Sequence, residues 1–156
     1  MLANRKRLIL EQLGKTLSRF AEIQAVQPPP KGWIRAIRQA LGMSGVQFAA
    51  RLGVKPPRVT ILEREELSGT VTMKTMRQAA EALDCVFVYA LVPRTSLEET
   101  IRRQAEGVAR ERLSRASHTM MLENQQLSEE EMKQSLDAAV EELVRAMPKD
   151  LWSKAQ

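Results

Sequence analysis

Cations are the side chains with the greatest chemical reach in this sequence. Residues 1–94 carry 15 Lys and Arg against 7 Asp and Glu, a surplus of +8, while residues 95–156 carry 9 against 12, a balance of −3. A basic first part suits a polyanion, and a mildly acidic, helix-forming second part suits a protein partner. Within that second part Thr119 and Glu123 stand four residues apart, so on a helix a hydroxyl and a carboxylate share one face and can enter a cleft together. A carboxylate seated in an anion site excludes another anion. The alternative for this pair is a place in the packing of the tail, with Glu123 a solvated charge. Catalytic chemistry has no such footing. One cysteine, Cys85, and one histidine, His118, exclude an internal disulfide and a tetrahedral Cys/His zinc site. With no phosphate loop, metal-ligand spacing or catalytic triad in the sequence, we expect no enzyme, no metal and no cofactor. His118 reads as a surface or interface residue and Cys85 as a small packed hydrophobe.

The scaffold for these groups is expected to be mainly α. Hydrophobic residues are 44% and charged residues 28%, close to globular averages, and Gly and Pro number seven each, while Ala, Leu, Glu, Arg and Gln fill the long stretches. A chain of 17.6 kDa has room for one domain with extensions or two small ones. No eighteen-residue apolar run and no apolar leader after Met1 are present, which predicts a cytoplasmic protein, nucleoid-associated when bound to DNA.

Leu10, Leu13, Leu17, Phe20 and Ile23 recur at spacings of three and four, which predicts an amphipathic helix over residues 4–25 within an N-terminal segment 1–27. A Pro-rich linker at 28–32 contains Pro28, Pro29 and Pro30. Residues 33–84 then read as short helices: Trp33 to Leu41, Ser44 to Leu52, one from Pro56 or Pro57, and one capped by Thr72 that reaches Leu83. Trp33 is expected to anchor the first of them. Val86 to Val92, inside a segment 85–94, is the one strand candidate. It has no mate in the chain, so it is expected to pair with the same strand of a second copy, making a homodimer; the alternative is an extended tail against the helices. In residues 95–156 the capping boxes Ser96/Glu99 and Ser128/Glu131 open two helices, one running to about Glu123 and the other ending before Pro148, a helical hairpin. Met132, Leu136, Ala139, Val140, Leu143 and Met147 make the apolar face of the second, and Gly107 invites a bend in the first.

The segment Met43-Ser44-Gly45-Val46-Gln47-Phe48-Ala49-Ala50-Arg51-Leu52-Gly53-Val54-Lys55-Pro56-Pro57-Arg58-Val59-Thr60-Ile61-Leu62-Glu63 closely resembles the helix-turn-helix of the phage-repressor (Cro-like, xenobiotic-response-element) family. Small Ala49 lets two helices cross closely, Gly53 supplies the turn, and Phe48, Leu52, Val54, Val59 and Leu62 supply core contacts. The resemblance implies DNA binding, with Ser44 capping the first motif helix beside a phosphate. Lys55, Pro57, Arg58, Thr60 and Ile61 would face the major groove, and Arg58 would make a bidentate contact to guanine. It further implies an Arg38–Glu63 ion pair in the scaffold. Lys31, Arg35, Arg64 and Lys74 are candidate phosphate contacts.

Downstream, Thr119-Met120-Met121-Leu122-Glu123-Asn124 is similar to the inhibitory-helix pattern that controls Fic-type adenylyl transferases. There the glutamate pairs with an active-site arginine that otherwise holds the nucleotide γ-phosphate, and an Asn suits the helix end. From leading helix to helical tail, the chain resembles the mobile mystery protein A family, whose members are encoded beside a Fic-domain protein. That resemblance implies an antitoxin and operator-binding repressor whose residues 95–156 bind and inhibit a Fic toxin through Thr119, Glu123 and Asn124. The alternative is a repressor without toxin-inhibiting activity.

Overall fold

The computed structural model describes residues 2–122 and 128–153, and these form helices with no β-strand among them. The chain divides into two compact units, one of residues 22–91 and the other of residues 1–21 with 92–156.

A short 3-10 helix, Ala21–Ala25, leads into the first unit, which holds α2 (Trp33–Ala40), α3 (Gly45–Leu52), α4 (Pro56–Ser68) and α5 (Met73–Ala82). Each boundary has a local cause. Ser44 and Gln47 close a reciprocal capping box on α3, with the Gln47 amide donating to Ser44 Oγ at 3.2 Å and the Ser44 amide to Gln47 Oε1 at 2.8 Å. Gly53, at φ 69°, ends α3 in the left-handed region that glycine adopts without penalty. Prolines at the first two positions of α4 cost it no hydrogen bond. Thr72 accepts the Thr75 amide at 3.1 Å to start α5.

These four helices enclose Ile34, Phe48, Ala49, Val59, Leu62, Ala79 and Leu83. Two expected core residues lie elsewhere. Val54 is exposed in the turn, because Gly53 swings the chain away from the core. Trp33 is 44% exposed, its anchoring place being taken by Ile34, the next residue around the helix.

The second unit holds α1 (Leu2–Ser18), α6 (Leu97–Leu122) and α7 (Glu129–Ala146). The helix expected over 4–25 stops at Ser18. Thr16 and Ser18 turn their hydroxyls back onto the carbonyls of Gln12 and Lys15, and i→i+3 bonds from Arg19 and Phe20 tighten the chain into a turn. Ala105 and Ala109, one helical turn apart on α6, are fully buried against Val140 and Leu143 of α7 and against Leu151. Leu136 and Ala139 pack beside them as expected, as does Val144. Gly107 leaves α6 unbroken. Ser96 accepts the Glu99 amide at 3.0 Å, and Ser128 and Glu131 make their capping box in full. Met147 ends α7 in a left-handed conformation, and Lys6 donates to its carbonyl at 2.7 Å.

The strand expected at 86–92 is not formed: residues 85–94 run without regular secondary structure. A strand exists only through its ladder, and a single chain offers this segment no second strand. Its side chains still alternate, with Cys85 and Phe87 turned toward the core side and Val86 and Val88 outward at 85% and 71% exposure. Glu123 and Asn124 lie outside the described residues.

Candidate nucleic-acid interface

Val59, Leu62 and Glu63 point α4 into the core. Helical periodicity then puts Pro57, Thr60, Ile61 and Arg64 on the opposite side, away from the packed helices. Pro57, Thr60, Ile61 and Arg64 are all exposed there. Lys55 extends this face from the N-cap position and is exposed too. Neither Lys55 nor Arg64 has an ion-pair partner among the described residues. Ser44 caps α3, Lys31 lies in the turn before α2, and Arg35 is in the first turn of α2. The Arg35 Nε is buried with no hydrogen-bond partner among the described residues. Lys74 is exposed on the first turn of α5.

Arg58 is placed differently from its neighbours. Its guanidinium grips Glu65 with two bonds, Nη1 to Oε1 at 2.9 Å and Nη2 to Oε2 at 2.8 Å. Seven residues are two helical turns, so the pair lies along one flank of α4, where Arg58 lines a cleft with Arg51, Thr75 and Gln78. Hydrogen bonding to Arg58 holds the Glu65 carboxyl below its ordinary value and raises the guanidinium. To meet a guanine, Arg58 has to exchange this carboxylate for the base.

Arg38 and Glu63 form the expected scaffold pair at 2.8 Å, with Arg38 also donating to the Met43 carbonyl at 3.0 Å. Both side chains are nearly buried, so the pair ties α2 to α4 and fixes the loop that leads into α3. Sequence reasoning did not single out Glu66. Its carboxylate accepts the Trp33 and Ile34 amides at 2.7 and 3.1 Å and caps α2 from across the fold. Only Gly32 fits beneath it, because a Cβ there would lie 2.6 Å from a Glu66 oxygen. Gly32 before α2 and a carboxylate on α4, two helices further on, were visible in the sequence, but their partnership was not.

Two helices of eight and thirteen residues, joined by Gly53, Val54 and Lys55 and with the small Ala49 buried in the core they share, leave one outward face that carries Lys55 and Arg64. A helix-turn-helix family model of the Cro/C1 type matches residues 34–87. This unit is a helix-turn-helix domain. The domain supports a DNA-binding transcriptional regulator. No curated protein and no solved structure matches the chain. Among the described residues, no helix is long and apolar enough to cross a membrane.

Proposed function

We propose that this chain is a transcriptional repressor that binds operator DNA as a dimer, laying α4 in the major groove. The observation that carries this reading is the outward face of α4, where Lys55 and Arg64 stand without ion-pair partners among the described residues, on either side of Pro57, Thr60 and Ile61. Phosphates meet Lys55 and Arg64, with Lys31, Arg35 and Lys74 as further contacts and the capped start of α3 at Ser44 beside the backbone. Arg58 reads a guanine only by releasing Glu65. Two copies pair through residues 86–92, whose alternating apolar side chains suit a ladder with a second copy and give the two-fold symmetry of a palindromic site. Titrating the full chain against random-sequence duplex DNA at several salt concentrations tests the electrostatic part. Affinity is expected to fall steeply and linearly in log–log form, and salt-independent binding or no binding overturns the reading.

A second function rests on the resemblance of the whole chain and on the Thr-x-x-x-Glu-Asn motif. We infer that the repressor is also an antitoxin that silences a Fic adenylyl transferase, inserting Glu123 where the nucleotide γ-phosphate would bind. Thr119 supports this by its exposure near the end of α6, where its hydroxyl donates to the Arg115 carbonyl at 3.2 Å. Glu123→Gly is expected to keep complex formation with the transferase and to restore adenylylation. A variant that inhibits as well as the parent leaves the repressor-only reading.

A further inference from the structure

We propose that the centre of the α4 face, Pro57 and Ile61 with the methyl group of Thr60, reads thymine through its C5-methyl group, so that the half-site core is A·T rather than G·C. This rests on the operator reading above and gives that site its base chemistry.

The face has almost nothing else to offer a base. Helix N-termini normally present four free amide donors, but Pro56 and Pro57 have no N–H, and the Arg58 amide is bonded to the Lys55 carbonyl at 2.9 Å. No Asn, Gln, Asp or Glu stands among Pro57, Thr60, Ile61 and Arg64, which removes the side chains that pair with adenine or cytosine edges. Of the cations able to pair with guanine, Arg58 is held on the flank by Glu65, and Lys55 and Arg64 stand at the two ends of the face, within reach of phosphates rather than at its centre. At the middle of the face stands Ile61, 44% exposed although apolar. In the major groove the only apolar group a base pair displays is the thymine methyl, and a branched aliphatic side chain packs against it without leaving a polar base atom unpaired. Lys55 and Arg64 frame this apolar centre and fix its register on the phosphates.

The test begins with sites that the protein chooses for itself. The full chain selects its preferred sequences from a random-sequence duplex library, and each thymine of the selected duplex is then replaced by deoxyuridine, which keeps every hydrogen-bonding atom and loses only the methyl. The expected result is about fourfold weaker binding at one or two positions in each half-site, the effect of uncovering a single methyl. Ile61→Ala should bind the thymine and uracil duplexes alike at one of these positions. A selected duplex that the parent binds equally well with uracil throughout overturns the inference while leaving the operator reading intact. A library from which nothing is enriched overturns both.

Discussion

At the scale of single residues, the two Arg–Glu pairs of this domain have similar lengths and different consequences. Arg38 and Glu63 meet at 2.8 Å with only 13% and 10% of their side chains exposed. Arg38→Ala strands a carboxylate in the core, so urea unfolding should show a loss of about 3 kcal/mol. Arg58 and Glu65 meet at the same distance but are about one-third open to solvent, so Arg58→Ala should leave the unfolding midpoint almost where it was. Its effect on base preference separates two roles: an unchanged site logo means Arg58 stays on Glu65, and relaxation at one position means it crosses to a guanine. Arg64 has no such competing carboxylate among the described residues. Arg64→Ala should reduce the slope of log K against log salt by about 0.9 in each subunit, whatever the sequence bound.

At the scale of elements, helix ends carry much of the specification. The α2 N-terminus depends on a carboxylate from another helix, and Gly32 there has φ 82° and ψ 162°, a backbone region nearly confined to glycine. Glu66→Ala should cost about 1 kcal/mol as a lost cap. Gly32→Ala should cost more, because it adds backbone strain to the same loss. In α7 the Ser128 amide and hydroxyl hold the Glu131 carboxyl below its ordinary value of 4.5. A depressed folded value means that this carboxylate stabilises the helix start at all pH above 4.5 and ceases to do so as the pH falls through the lower folded value. Amide exchange at the first turn of α7 should therefore accelerate in that acid window, and Ser128→Ala should show little of the acceleration because its cap is already weakened.

At the scale of the whole molecule, the outstanding feature is apolar surface outside both cores. Val86, Val88 and Leu91 are each more than two-thirds exposed, and the Phe87 and Tyr89 rings stack at 6.2 Å along the same segment. Burying such a strip in a ladder with a second copy removes the exposed edge and the exposed carbon together. Val88→Pro takes away one ladder donor without touching the inward Phe87. Light scattering of the full chain should then report a monomer, and this monomer should bind a palindromic site far more weakly than the parent. A dimer that persists in Val88→Pro moves the interface away from this segment.

What the sequence by itself determined is mostly local chemistry. Ser44/Gln47, Gly53, Thr72 and Ser128/Glu131 are capping and turn signals written within a few residues of where they act, and the structure uses all of them. The helix-turn-helix was legible through the resemblance of residues 43–63 to the phage-repressor pattern, in which Phe48, Leu52, Val59 and Leu62 fall at core positions, and the structure packs all four in or against the core. What only tertiary structure decided involves partners far apart in sequence or absent from the chain. That Arg58 lies on Glu65 rather than on the outward face follows from which side of α4 the core claims. That Glu66 caps α2 follows from how two helices cross. Residues 86–92 mark the same boundary from the other side: they have the pattern of a strand and form none, because hydrogen-bonded pairing is a property of two segments, and one chain supplies only the first.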